Sequence, residues 1–209
     1  MPFDTWKLYL LTVLVFMSTP GPSHLLMLSN SASHGFRRSL ATAAGDLTAN
    51  FLQMLAAGFG LAAILAAASG AFTIVKWLGV AYLVYLGLRM IVGAGRSANG
   101  SARFQPASIR TLWLQGFVTS AANPKAVVFF AALFPQFMHP DQPFVAQFAI
   151  LAATYIVIDG LFLAAYGAGA EWISSRFRGN ARTWIERAGG MFMLVAALLL
   201  GLKSLRSAN

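Results

Sequence analysis

Residues 18–28 read STPGPSHLLML. They lie in the first strongly apolar segment, where two prolines flank a glycine and interrupt what should be a membrane-spanning helix. Proline inside a helix removes one hydrogen bond and clashes with the preceding turn. Backbone groups freed in hydrocarbon are costly unless something satisfies them. A break at bilayer depth therefore survives only where protein buries it or where it lines a wet cavity. The first half-helix is expected to end near Thr19, just before Pro20. Gly21 is expected to supply an unusual backbone angle or a close approach. Pro22 suits the first position of a new helix, where its missing N–H costs nothing. The second half-helix would then present free N–H groups and a partial positive charge to the middle of the membrane.

The composition supports that setting. Of 209 residues, 58% are hydrophobic and only 10% charged, against about 25% charged in soluble domains. The mean hydropathy is +0.67. This predicts an all-α polytopic membrane protein in a lipid bilayer, a single transmembrane domain over 1–209 with no room for a separate soluble one. There is no cysteine, which excludes disulfides, thiol redox chemistry and thiolate metal sites. The net charge of +9 lies mostly in short loops, as the cytoplasmic side of a membrane protein requires, and does not point to nucleic acid. At the N-terminus Asp4 and Lys7 cancel, and no small-residue cleavage site follows the apolar run. A retained first helix is expected rather than a signal peptide.

Six spans are expected, near 6–29, 40–67, 72–92, 112–135, 144–170 and 184–203, with tight hairpins at 69–70 and 139–143. The longer loops carry Arg37 and Arg38, then Arg96, Arg103 and Arg110, then Arg176, Arg178, Arg182 and Arg187. These loops alternate, so all three are expected in the cytoplasm and both termini outside. Lys203 and Arg206 in the short tail weigh mildly the other way. Trp6, Tyr9, Trp77, Trp113, Trp172 and Trp184 fall near span ends, as interfacial anchors do. Ala56, Gly60, Gly79, Gly87, Gly160, Gly167, Gly189 and Gly190 are expected to let helices approach closely.

A second break answers the first. Residues 119–130 read TSAANPKAVVFF. Asn123 is a good N-cap, Pro124 a good first helical residue, and Lys125 adds a full positive charge. The two breaks occupy corresponding positions if the chain is two three-helix repeats, about 1–95 and 110–209. An odd number of spans in each makes the repeats inverted. Their half-helix N-termini would then point into one cavity from opposite sides, the arrangement of a transporter's binding site.

Asp46, Asp159 and Lys125 are the ionisable residues expected deep in the membrane. Each costs about 2.5–3.5 kcal/mol at a helix centre. Asp46, Asn50 and Gln53 share one helical face by their spacing, and Asp159 lies in the corresponding helix of the second repeat. Two readings stand. In one, the carboxylates are structural: one neutralises Lys125 and the other caps backbone. In the other, a buried carboxyl carries a proton, because desolvation disfavours its charged form. One proton crossing 100 mV supplies about 2.3 kcal/mol, enough for a roughly fiftyfold solute gradient. His24, directly after the first break, could relay a proton, donate to a solute, or simply face the cavity. His34 and His139 read as loop residues. Scattered histidines give weak support for a transition-metal site, and no cofactor is implied.

STPGP in span one, GDLTAN opening span two, KWLGVAYLVYLGLRM in span three and NPKAVVFFAALFPQF in span four together resemble the LysE/RhtB superfamily of amino-acid exporters. The match is clearest through Phe137; the last two spans agree by pattern more than by motif. The resemblance implies a small inner-membrane exporter of amino acids or their derivatives, working by exchange for protons. It places Pro20, Gly21, Pro22, Asn123, Pro124 and Lys125 in the functional centre. The residues after Pro-Gly-Pro vary in that family, so Ser23 and His24 receive no role from it. An amino-acid carboxylate suits helix N-termini with Lys125, Asn50 is a further candidate contact, and Asp46 or Asp159 could accept the ammonium. Neutral amino acids fit better than basic ones, because few carboxylates are to spare. The alternatives are a divalent-cation permease, which normally wants six or more oxygen ligands, a membrane enzyme, for which no Ser–His or paired-histidine motif is present, and a scaffold. The oligomeric state, a homo-oligomer included, is left open.

Overall fold

The computed structural model describes residues 1–60, 77, 80–82, 84–88, 91–92, 107–139, 141–176 and 181–206. The hairpin expected at 69–70, most of span three, and Gly79, Arg96, Arg103 and Arg178 lie outside the described residues. Among those described, every regular element is a helix.

The first apolar segment forms α1 (Phe3–Ser18) and α2 (Pro22–His34), bent by 57° at the proline–glycine break. At 1.5 Å per residue α1 is about 24 Å long, short of the roughly 30 Å hydrocarbon core, so the two halves can cross only as a unit. Gly35, at φ +81°, caps α2 and turns the chain into α3 (Phe36–Gly58). A side chain there would be strained. Helix α3 ends at Gly58, ahead of the expected end of span two: Gly60 adopts φ +71°, with nothing among the described residues within 4 Å of its missing Cβ. Gly60 is thus a turn residue and not the packing glycine that the sequence suggested; residues 61–67 lie outside the described residues.

The second half begins at α4 (Ile109–Ala121), where the Ser108 hydroxyl accepts from the Thr111 amide at 3.1 Å. After the Asn-Pro break come α5 (Pro124–Val128), a π-helical turn (Phe129–Leu133) and a 3-10 turn (Phe134–Phe137). The bend between Ile109–Ala121 and Lys125–Phe137 is 52°. The hairpin expected at 139–143 is present, tied by Gln147, whose amide exchanges hydrogen bonds with the His139 backbone. Helix α6 (Phe144–Arg176) runs 33 residues unbroken and α7 (Ala181–Arg206) follows. By length and composition α6 can cross a membrane alone, and each bent pair can do so as a unit.

Contacts between helices fix the directions. Arg38 Nη2 donates to Ala107 O at 2.8 Å, and the Phe36 amide donates to Glu171 Oε1 at 3.1 Å. The starts of α3 and α4 and the end of α6 therefore share one end of the bundle, together with Arg37, Arg38, Arg110 and Arg176. At the other end, Thr5 meets His139, Trp6 Nε1 donates to Thr154, and Phe59 packs on Phe144. So α3 and α6 run in opposite directions, as do the two bent pairs. Between α3 and α4 the backbones touch: a Cβ on Gly45 would overlap Trp113 O, and one on Gly116 would overlap Thr42 O. Gly87 and Gly167 are crowded too, by Gly190 and by Met27 and Phe36, whereas Gly160 meets only an ordinary contact with Leu47. The largest core cluster is aromatic. Tyr9, Phe129, Phe130, Phe134, Phe137, Phe148 and Tyr155 fill the end of the bundle away from the arginines.

Candidate functional site

The two breaks meet. A Cβ on Gly21 would stand 3.7 Å from Lys125 Cδ and 3.9 Å from Asn123 Nδ2. The sequence offered an unusual angle or a close approach at Gly21. Its φ of −129° is ordinary extended backbone, and the neighbours that a Cβ would meet stand at ordinary contact distance, so neither an unusual angle nor a close approach demands glycine here. Pro22 opens α2 as its first residue. Pro124 does the same for α5, with the Asn123 side chain accepting from the Lys125 amide at 3.1 Å.

Around this junction lies a cavity lined by Gly21, His24, Asp46, Asn50, Asn123, Lys125 and Asp159, all singled out in the sequence. Pro20 and Pro22 flank Gly21 in the chain; Pro124 follows Asn123. The lining also includes Phe16, Ser23, Ser120 and Tyr155, to which the sequence reading gave no role. A signal existed for two of them. Tyr155 precedes Asp159 by four residues, hence shares its helical face, and Ser120 sits in the quoted stretch before the second break.

The carboxyls lie together, and among the described residues neither makes a direct ion pair with the lysine. Asn50 Nδ2 donates to Asp46 Oδ2 and to Asp159 Oδ2, each at 2.8 Å. The two oxygens are therefore within twice that distance of each other. Asn50 Oδ1 in turn accepts from the Ser120 hydroxyl at 2.8 Å, and Gln53 Nε2 donates to Ser120 O at 3.0 Å. The polar face of α3 thus binds α4 just ahead of its break. Asp46 and Asp159 are each 2% exposed. The Asn50 amide has both its hydrogens committed to carboxyl oxygens, so it serves as a bridge and has no donor to spare for a solute.

Lys125 directs its hydrogen bonds to backbone carbonyls and not to an aspartate. Its Nζ donates to Phe16 O at 2.6 Å and closely to Thr19 O, and lies 4.3 Å from the centre of the Phe16 ring. Carbonyls at the end of a helix lack intrahelical partners, and here the lysine of one break supplies them to the other. His24 serves its own break: Nδ1 accepts from the Gly21 amide at 3.4 Å, as the third helical residue of a capping box does. Among the described residues, its Nε2 is buried without a hydrogen-bond partner, and so is Asp46 Oδ1.

Known proteins resemble this chain along most of its length. The family model described as LysE type translocator matches residues 14–204. A homoserine/homoserine lactone efflux protein of Salmonella typhimurium is 35% identical over 201 residues, covering 95% of this chain and 97% of its own. A membrane protein of Vibrio cholerae is 32% identical over 206 residues, covering 98% of this chain and all of its own. No solved structure matches.

Proposed function

Because the chain belongs to the LysE type translocator family, we propose that it is a secondary-active exporter that moves small neutral amino acids or their derivatives out across the inner membrane in exchange for protons. The observation that carries the reading is the convergence of both helix breaks and both buried carboxyls on one cavity. On this reading the chain crosses the membrane six times as two inverted repeats. The opposite directions of the two bent pairs, and of α3 and α6, support that arrangement. The arginine-bearing end faces the cytoplasm and both termini face outward.

Proton exchange follows from the carboxyl pair. Two negative charges this close in a buried place repel strongly, and the bridging Asn50 amide cancels neither. The pair is therefore suited to hold one cation at a time, either a proton or the ammonium of an amino acid. Each would displace the other, so a proton entering from outside drives release of the solute there, and the solute loading from the cytoplasm drives release of the proton. Solute binding is assigned to the cavity at the junction of Pro20, Gly21, Pro22, Asn123, Pro124 and Lys125, where α2 and α5 begin, with Lys125 holding the two breaks together around the solute. Proton coupling is assigned to Asp46 and Asp159.

The test is uptake of labelled homoserine, threonine and leucine into everted membrane vesicles carrying an imposed pH gradient, acid inside. Uptake of at least one that collapses when a protonophore is added is the expected result. Uptake untouched by the protonophore would remove proton exchange from the reading, and no uptake of any neutral amino acid would remove the substrate class.

A further inference from the structure

Among the described residues, two buried polar atoms on side chains that line the cavity lack a hydrogen-bond partner: His24 Nε2 and Asp46 Oδ1. Both side chains are nearly fully buried, at 4% and 2% exposure. A buried polar atom left unmade is costly, and two in one cavity at a helix break call for a functional reason. Their chemistry is complementary. His24 Nδ1 accepts from the Gly21 amide, which puts the imidazole hydrogen on Nε2 and makes that atom a neutral donor. Asp46 Oδ1 is an acceptor whose partner oxygen is already held by Asn50, with the Ser23 hydroxyl beside the carboxyl. Lys125 is turned to the carbonyls of Phe16 and Thr19, and the Asn50 amide is saturated.

We propose that these two atoms dock the ends of the solute: Asp46 Oδ1 receives the ammonium, and His24 Nε2–H donates to an oxygen of the acyl group. The proposal rests on the exporter reading above and assigns its contacts atom by atom. His24 stands at the start of α2, where the Ser23 and His24 amides lack intrahelical acceptors. The acyl oxygens thus meet an imidazole N–H and a helix N-terminus together, with no full positive charge required at that end. The ammonium meets the carboxyl pair on α3 and α6. Tyr166 and Phe162, with ring centres 5.0 and 6.4 Å from that of His24, hold the imidazole in place from α6. Because α6 also carries Asp159, both ends of the solute are held against one helix.

The assignment separates solutes by the group they lack. Homoserine carries both ends, 3-aminopropan-1-ol lacks the carboxyl, and 4-hydroxybutyrate lacks the amine. Inhibition constants are measured for each against labelled homoserine exchange in proteoliposomes of the full chain. His24→Phe should weaken homoserine by about tenfold or more, the scale of a lost buried hydrogen bond, and leave 3-aminopropan-1-ol near its parent value. His24→Gln, which can accept from Gly21 and still donate, should recover most of the loss. Asp46→Asn should weaken homoserine and 3-aminopropan-1-ol alike while sparing 4-hydroxybutyrate. Equal weakening of all three solutes by His24→Phe would make His24 a structural cap and overturn the assignment, as would no weakening of homoserine at all. A parent that exchanges no homoserine shows itself before any variant is made, and removes the exporter reading for this solute and the docking assignment with it.

Discussion

Lys125 is the residue whose expected and observed roles differ most, and Lys125→Met tests the observed one. Methionine keeps an unbranched stem beside Phe16 and removes the ammonium. Lost with it are two charge-assisted hydrogen bonds, to Phe16 O and Thr19 O, and the contact over the Phe16 ring. Hydrogen bonds to charged groups contribute about 1.5–3 kcal/mol each, and an exposed cation–π contact about 0.5–1 kcal/mol. Lys125 is only partly buried and the bonds share one donor, so the lower part of the range applies, roughly 2–4 kcal/mol in all. Thermal melting in detergent should fall by several degrees, since 1 kcal/mol moves a chain of this size by about 2–4 °C. Exchange should fall with it, because α1 and α5 are no longer tied. Lys125→Arg should lie between, since its planar fork cannot reproduce a compact ammonium between two carbonyls. The double variant Lys125→Met/Asp159→Asn decides the cause. If Lys125 serves to neutralise Asp159, removing both charges restores stability; if it serves the carbonyls, it does not. A single methionine variant that melts and exchanges like the parent, or rescue by the double variant, would refute the staple between the breaks.

Gly116→Ala and Gly45→Ala should destabilise by about 1–3 kcal/mol or prevent folding, because the added carbon overlaps backbone that cannot yield; Gly160→Ala, with an ordinary contact, should melt like the parent in the same detergent. Asp46→Asn and Asp159→Asn should differ: Asp159→Asn abolishes pH-driven uphill transport yet spares exchange, whereas Asp46→Asn, which also loses the ammonium contact, weakens both, and uphill transport at the parental rate in both would show that neither couples protons. Single cysteines at Arg37 and Arg176 should resist impermeant thiol reagents in intact cells, and labelling of either from outside would invert the orientation.

The breaks were legible because proline and glycine carry local instructions. Pro22 and Pro124 start helices wherever they fall, and Asn123 caps its own helix with its own side chain. The deep charges were legible because an aspartate in an apolar run has few reasons to be there. What the sequence could not reveal was pairing across space. Lys125 reads as a charge at the N-terminus of its own half-helix, and nothing local says that its stem reaches back to α1. Asn50 reads as a free contact for a solute, and only the arrival of Asp159 and Ser120 from other helices turns it into a bridge. The glycines show the same limit. Nothing local to Gly45 or Gly116 says which helix will press against it, and Gly60 reads as a packing residue although it serves a turn.

These cross-helix pairings bear on how the site can move. A helix break exposes carbonyls on one side and amides on the other, and each needs a partner if the break is to persist in an apolar surround. Here α1's carbonyls take theirs from Lys125 of the other break, the Gly21 amide takes its from His24, and the Lys125 amide takes its from Asn123. Neither break is satisfied by its own backbone alone, so neither can straighten or swing away without stranding groups on the other. The carboxyl pair is fastened to the same assembly, since Asn50 is held by Ser120 one turn before the second break. On the exporter reading, a change of cation at Asp46 and Asp159 therefore pulls on Asn50, then on the end of α4, then through Asn123 and Lys125 on α1. Opening to either side of the membrane becomes a joint motion of both bent pairs, and it is tied to the occupant of the carboxyls by contacts rather than by distance. This accounts for why both breaks, and not one, carry polar residues at their helix starts.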